Sequence, residues 1–183
     1  MLIIVNLYFT NTMMKLILCS LLAFTVLFVN TSSAQLPRKW IGNWSGTMHL
    51  FSHGELVDSV AVSFLVKPLP QDSSYTWKME YNFPTMRTVQ DYTLRVSDAA
   101  KGLFVIDEGA GIELACSLVG DKMYSLFEVQ GTMLSACYEL KGDELIFEVT
   151  SGKQDPPTGA GVTTYSAKNL QRVVFRRAPL NEH

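Results

Sequence analysis

From Gly42 to Arg177 the chain alternates apolar and polar residues with a period of two, the signature of strands that bury one face. The first run sets Gly42, Trp44, Gly46, Met48 and Leu50 against Asn43, Ser45, Thr47 and His49. After a turn at Ser52-His53-Gly54-Glu55, the residues Val60, Val62, Phe64 and Val66 form a second apolar face. Pro68 and Pro70 end it, because proline donates no hydrogen bond to a ladder. The third run is the clearest, with Tyr75, Trp77, Met79, Tyr81 and Phe83 opposed to Thr76, Lys78, Glu80 and Asn82. Tyr92, Leu94 and Val96 mark the fourth. Shorter runs follow at 103–107, 112–119, 122–130, 133–140 and 145–150, separated by glycine-containing turns. Residues 151–161 read as a long irregular segment, and 162–167 with 171–177 as a last hairpin around Lys168-Asn169. No helical period of useful length appears.

Short turns between successive runs predict antiparallel neighbours. About ten strands in one meander favour closure, which abolishes exposed edges. The expected fold is all-β, an antiparallel up-and-down barrel of about 8–10 strands, with a β-sandwich as the alternative.

Ahead of this region, residues 1–34 hold no acidic residue and one basic residue, Lys15. An apolar run from Leu16 to Val29 leads into Asn30-Thr31-Ser32-Ser33-Ala34. That order fits a secretory signal peptide cleaved after Ala34, so the product is expected to be secreted or periplasmic. The run is short of the roughly 20 residues that span a bilayer, so no stable membrane span is expected once the leader is gone. Met13 or Met14 would give a more ordinary start. Residues 35–183 then form a single barrel domain.

Of the 15 basic residues only Lys15 lies in the leader, so the remainder sets 14 against 17 acidic residues. Nucleic-acid binding is not expected of an acidic domain, since it needs a basic surface that releases counterions. Cys116 and Cys137 fall on strands separated by another strand and face opposite ways, too far apart for a bridge. They are expected as free, mostly buried thiols.

Gly42-Asn43-Trp44 resembles the glycine-x-tryptophan signature of the calycins, the lipocalins and related ligand-binding barrels. The resemblance implies that Trp44 plugs the closed end under an arginine from near the last strand, a role matched by Arg172 or Arg176 of the group that flanks Val173-Val174-Phe175. Any pocket then opens at the other end. Asp91-Tyr92 resembles the lipocalin aspartate-tyrosine turn but falls in an early strand. A ten-stranded barrel without a helical lid is similar to the nitrobindin type, which holds haem through a histidine. His183 alone lies near the final strands, so no cofactor is expected.

The remaining chemistry is thin. His49 and His53 flank the first turn near Glu55 and Asp58, a solvated hairpin rather than a converging metal site. Asp107 and Glu108 are adjacent on a strand and point to opposite faces, and Glu108 beside Gly109-Ala110-Gly111 reads as turn chemistry. No Gly-x-Ser-x-Gly elbow or phosphate loop is present, and Cys116 has no histidine partner. Catalysis is therefore not expected. What remains is an inward aromatic and methionine inventory: Trp77, Met79, Tyr81, Tyr92, Phe127 and Tyr138. Concave, mostly apolar sites suit small hydrophobic ligands. The expected function is an exported lipocalin-like barrel that binds a small apolar or amphipathic ligand. The alternative is a filled barrel serving as a protein-interaction or envelope-structural module.

Overall fold

Alternation becomes architecture in the computed structural model, which describes residues 35–70, 73–157, 159 and 161–178. Residues 1–34, Gln71, Asp72 and His183 lie outside the described residues. Ten strands follow in chain order: β1 (Gly42–Ser52), β2 (Glu55–Val66), β3 (Ser74–Asn82), β4 (Arg87–Asp98), β5 (Leu103–Gly109), β6 (Ile112–Val119), β7 (Lys122–Val129), β8 (Thr132–Lys141), β9 (Glu144–Gln154) and β10 (Tyr165–Arg177). Each pairs antiparallel with its predecessor, and β1 pairs with β10 to close the barrel. The sandwich alternative is excluded.

Tight hairpins set this meander. His53-Gly54 and Gln130-Gly131 both take positive φ at two successive residues, 52° and 87°, then 50° and 75°. That backbone matches the right-handed twist of the flanking strands. Two boundaries differ from the sequence expectation. Ser151–Gln154 belong to β9, paired with Tyr165–Asn169, so the irregular segment begins at Asp155. The expected hairpin at Lys168-Asn169 is instead a register shift between Ala167 and Asn169 within one strand of 13 residues. A bulge absorbs the extra residue and bends β10 without ending it.

The interior divides into two halves. At the pole where β1 begins, Trp44, Met48, Phe64, Trp77, Val173 and Phe175 are buried almost completely. Phe64 meets the Trp77 ring edge-on at 4.8 Å and stacks on Phe175 at 5.9 Å. Such geometry adds to the area term for burying each ring.

This pole is sealed from outside the sheet. A 3-10 turn at Arg38–Trp40 crosses it and lays the fully buried Trp40 ring 6.2 Å from Trp77. Leu36 is buried beside it, and its N–H donates to the Tyr75 hydroxyl. Lys39 reaches across the pole to pair with Asp121 in the β6–β7 turn. Trp44 Nε1 donates to the Trp40 carbonyl at 3.1 Å, joining turn to wall.

The arginine over Trp44 is Arg177. Its guanidinium carbon lies 4.3 Å from the indole centroid, and it donates to the carbonyls of Ile41 and Lys39 at 2.9 and 2.8 Å. Arg172 and Arg176, the residues expected in this role, pair with Glu148 and Glu144 on the outer wall. The reason is parity: Trp44 and Arg177 are directly opposed across the closing seam, and directly opposed residues share a face. Arg172 and Arg176 carry the opposite parity. Stacking of this kind contributes roughly 0.5–2 kcal/mol, and the two carbonyl contacts hold the 3-10 turn against the barrel.

Close approach of strands requires glycine at one point above all. A Cβ on Gly152 would stand 2.1 Å from the Ser166 carbonyl oxygen, beside the β10 bulge. The crowding atoms are all β10 backbone, which leaves nothing flexible to yield. Gly152→Ala is expected to destabilise the fold by about 2 kcal/mol or more, measured as a lower denaturant midpoint with an unchanged slope.

Candidate functional site

Above the aromatic floor the interior is not filled. A cavity of about 200 Å³ is bordered by side chains from β3 through β10, with Tyr138 and Phe147 beneath it. These two rings stack at 4.3 Å and 23°. A second lobe of about 250 Å³ lies toward the β1–β2 side, between Met48, Leu50, Val60 and Phe83. Tyr81, Gln90 and Gln171 border both lobes, so a polar bar stands between two apolar chambers. The Tyr81 hydroxyl donates to Gln90 Oε1 at 3.1 Å.

Alternation explains how each side chain arrives there. Tyr81 shares the inward parity of Trp77 and Met79 on β3, Gln90 that of Tyr92 and Leu94 on β4, and Gln171 that of Val173 on β10. Glu108 follows Phe104 and Ile106 inward on β5, while Asp107 points outward to Arg95. The cavity therefore has one carboxylate in its wall, with no ion pair among the described residues.

Of the expected ligand-contact residues, Tyr81, Tyr92, Phe127 and Tyr138 border the cavity. Trp77 and Met79 do not. Both are buried in the packed half, where the Trp77 ring leans on Phe64 and donates from Nε1 to the Tyr138 hydroxyl at 3.2 Å. Successive inward residues on a strand are about 7 Å apart, so Met79 and Trp77 sit progressively below the cavity level that Tyr81 reaches. The sequence reading passes over Gln90 and Gln171 and takes Glu108 for turn chemistry, whereas all three border the cavity. Their parity was the available signal, and their polarity concealed it.

Electrostatics mark the same region. Burial raises the Tyr81 phenol to about 12, with Tyr92 adding to the effect. Burial also raises Tyr138, despite the opposing Trp77 hydrogen bond. Tyr92 is raised by burial first and then by the Glu108 charge. Glu108 itself is raised above the usual carboxylate range, because its ionised form is partly desolvated.

The wall has one weak seam. Between β6 and β7, only Ser117–Val119 and Lys122–Tyr124 are paired with each other. Above them Ser125 Oγ donates to the Ala115 carbonyl at 2.9 Å, a side chain serving where a ladder bond would stand. Leu114, Ser125 and Phe127, flanking this gap, border the cavity.

Other candidate chemistry stays apart. His49 Nδ1 contacts Ser59 Oγ and His53 Nδ1 contacts Ser52 Oγ, both exposed. No group of three metal-ligating side chains occurs among the described residues. Cys116 is buried and Cys137 half-buried, both free thiols raised by burial. No helix among the described residues is long and apolar enough to cross a membrane.

A closed antiparallel meander plugged at one pole by a tryptophan under an arginine is a calycin-like fold. Solved structures agree. The chain is similar to the S-type phycobiliprotein lyase CPES from Guillardia theta, with a TM-score of 0.58 at 7% identity, over 77% of this chain and 89% of the lyase. It is also similar to a protein of unknown function of the DUF3598 family from Nostoc punctiforme, with a TM-score of 0.53 at 12% identity, over 82% of this chain. It spans 53% of that longer protein. No family model and no curated protein matches the chain.

A carboxyl whose folded-state pKa is raised stabilises the fold fully only below its unfolded value. That contribution is lost as pH rises through the folded value. Glu108→Gln is therefore expected to raise the melting temperature at pH 7 and to change it little at pH 4, checked by scanning calorimetry at both values.

Proposed function

We propose that this chain is an exported, lipocalin-like carrier barrel that holds one small apolar or amphipathic molecule in the upper half of its interior. The observation that carries this reading is the two-lobed cavity above a sealed aromatic floor. Its lobes together approach the size of small-molecule pockets, and its mostly apolar wall with a few convergent polar groups is the usual composition of such sites. The filled-barrel alternative accounts for the packed pole alone. It gives no reason for Tyr92, Glu108 and Gln171 to face a space in which the described residues offer them no hydrogen-bond partner.

Two measurements test the reading. Uptake of the neutral dye N-phenyl-1-naphthylamine by the wild type should raise its fluorescence. Ala136→Phe, which adds a ring to the cavity wall, should abolish that uptake with the circular dichroism unchanged. Retained uptake in the variant, or none in the wild type, would falsify interior binding. Export rests on the leader composition of residues 1–34. Intact-mass analysis of the protein from the medium and the periplasm should give a chain beginning at Gln35, and protein confined to the cytoplasm with the leader intact would contradict export.

A further inference from the structure

The cavity's charge pattern narrows the ligand further than its apolarity does. Neither lobe is bordered by a lysine, arginine or histidine. Several cations on the strands that form its wall are paired on the outer face instead: Lys78 with Glu80 and Asp91, Arg95 with Asp107 and Glu113, Lys122 with Glu139, and Arg172 with Glu148. Inside stands Glu108, an acceptor without a partner among the described residues. The bar between the lobes adds more acceptor capacity. Tyr81 spends its proton on Gln90, which leaves the phenolic oxygen free to accept. An ionised carboxylate or phosphate placed here would lose its water, meet no counter-charge and lie near a like charge. Each of these is costly in a partly desolvated site. A protonated amine or a hydroxyl meets the reverse situation, since charge-assisted hydrogen bonds to a carboxylate are among the stronger ones.

We propose that the cavity selects, among apolar molecules, those with a hydrogen-bond-donating neutral or cationic head, an amine above an alcohol, and rejects carboxylates and phosphates. Glu108 receives the head, and the tail lies along the chamber over Tyr138 and Phe147. This inference rests on the binding reading above and adds the chemical class of ligand.

The test is displacement of N-phenyl-1-naphthylamine at pH 7 by octylamine, octanol and octanoate, which share a tail and differ in head. Octylamine should displace best, and octanoate should be weaker than octanol by about tenfold, equivalent to about 1.4 kcal/mol. In Glu108→Gln, shown folded by circular dichroism, octylamine should lose about tenfold and fall to the level of octanol. Dye uptake with octanoate as effective as octanol would overturn the selectivity and leave interior binding standing. An amine preference that survives in Glu108→Gln would remove Glu108 from its role and overturn the proposal. No dye uptake by the wild type would overturn both readings.

Discussion

A ten-stranded barrel encloses more volume than the side chains of its own wall readily fill, whereas eight strands leave an interior just wide enough for them. That constraint orders everything else in this molecule. One pole meets it by concentration, with Trp44, Phe64, Trp77 and Phe175 packed together. It also borrows Leu36 and Trp40 from a segment that is not in the sheet. The other pole has no such supplement. Among its inward positions Ala136, Val149, Gln90 and Gln171 are small or polar, and a space remains beside the larger rings.

Charge is sorted by the same wall. The outer face holds a set of cross-strand ion pairs, such as Arg172 with Glu148 and Arg176 with Glu144. Exposed pairs of this kind each contribute only about 0–1 kcal/mol, and their outward parity leaves these cations on the outer face. The Arg177 guanidinium is spent on the Trp44 ring and two backbone carbonyls at the sealed pole. The chamber is left with a single acid.

Period two made the fold legible because nearly every strand buries one face and wets the other. The β6 strand falls on Ile112–Val119, the range its alternation marks, and β3 on nearly the range expected. The reading broke where local chemistry imitates something else. Lys168-Asn169 has the composition of a turn, yet its neighbours are bonded to β9 on both sides and force it into a bulge. Three arginines near the chain's last strand all suit the stacking role, and only the parity shared by Val173, Phe175 and Arg177 selects among them. Gln90, Glu108 and Gln171 violate the expectation that polar residues face water. A cavity is what makes the violation tolerable, and a cavity leaves no trace in hydropathy. Trp40 sits in a 3-10 turn with no alternation around it, so nothing in its surroundings announced a second plug.

The closing seam has a kinetic consequence. Because β1 bonds to β10 through pairs such as Trp44–Arg177 and Ser52–Asn169, the contacts that complete the wall join the most distant strands in the chain. Loop-closure entropy must be overcome before those contacts stabilise anything, which places the fold at the high-contact-order, slow end of folding rates. During synthesis β1 emerges first and its outer edge waits for the strand made last. Until β10 arrives, the open sheet presents two unpaired edges and an uncovered aromatic face, the conditions that favour association between chains.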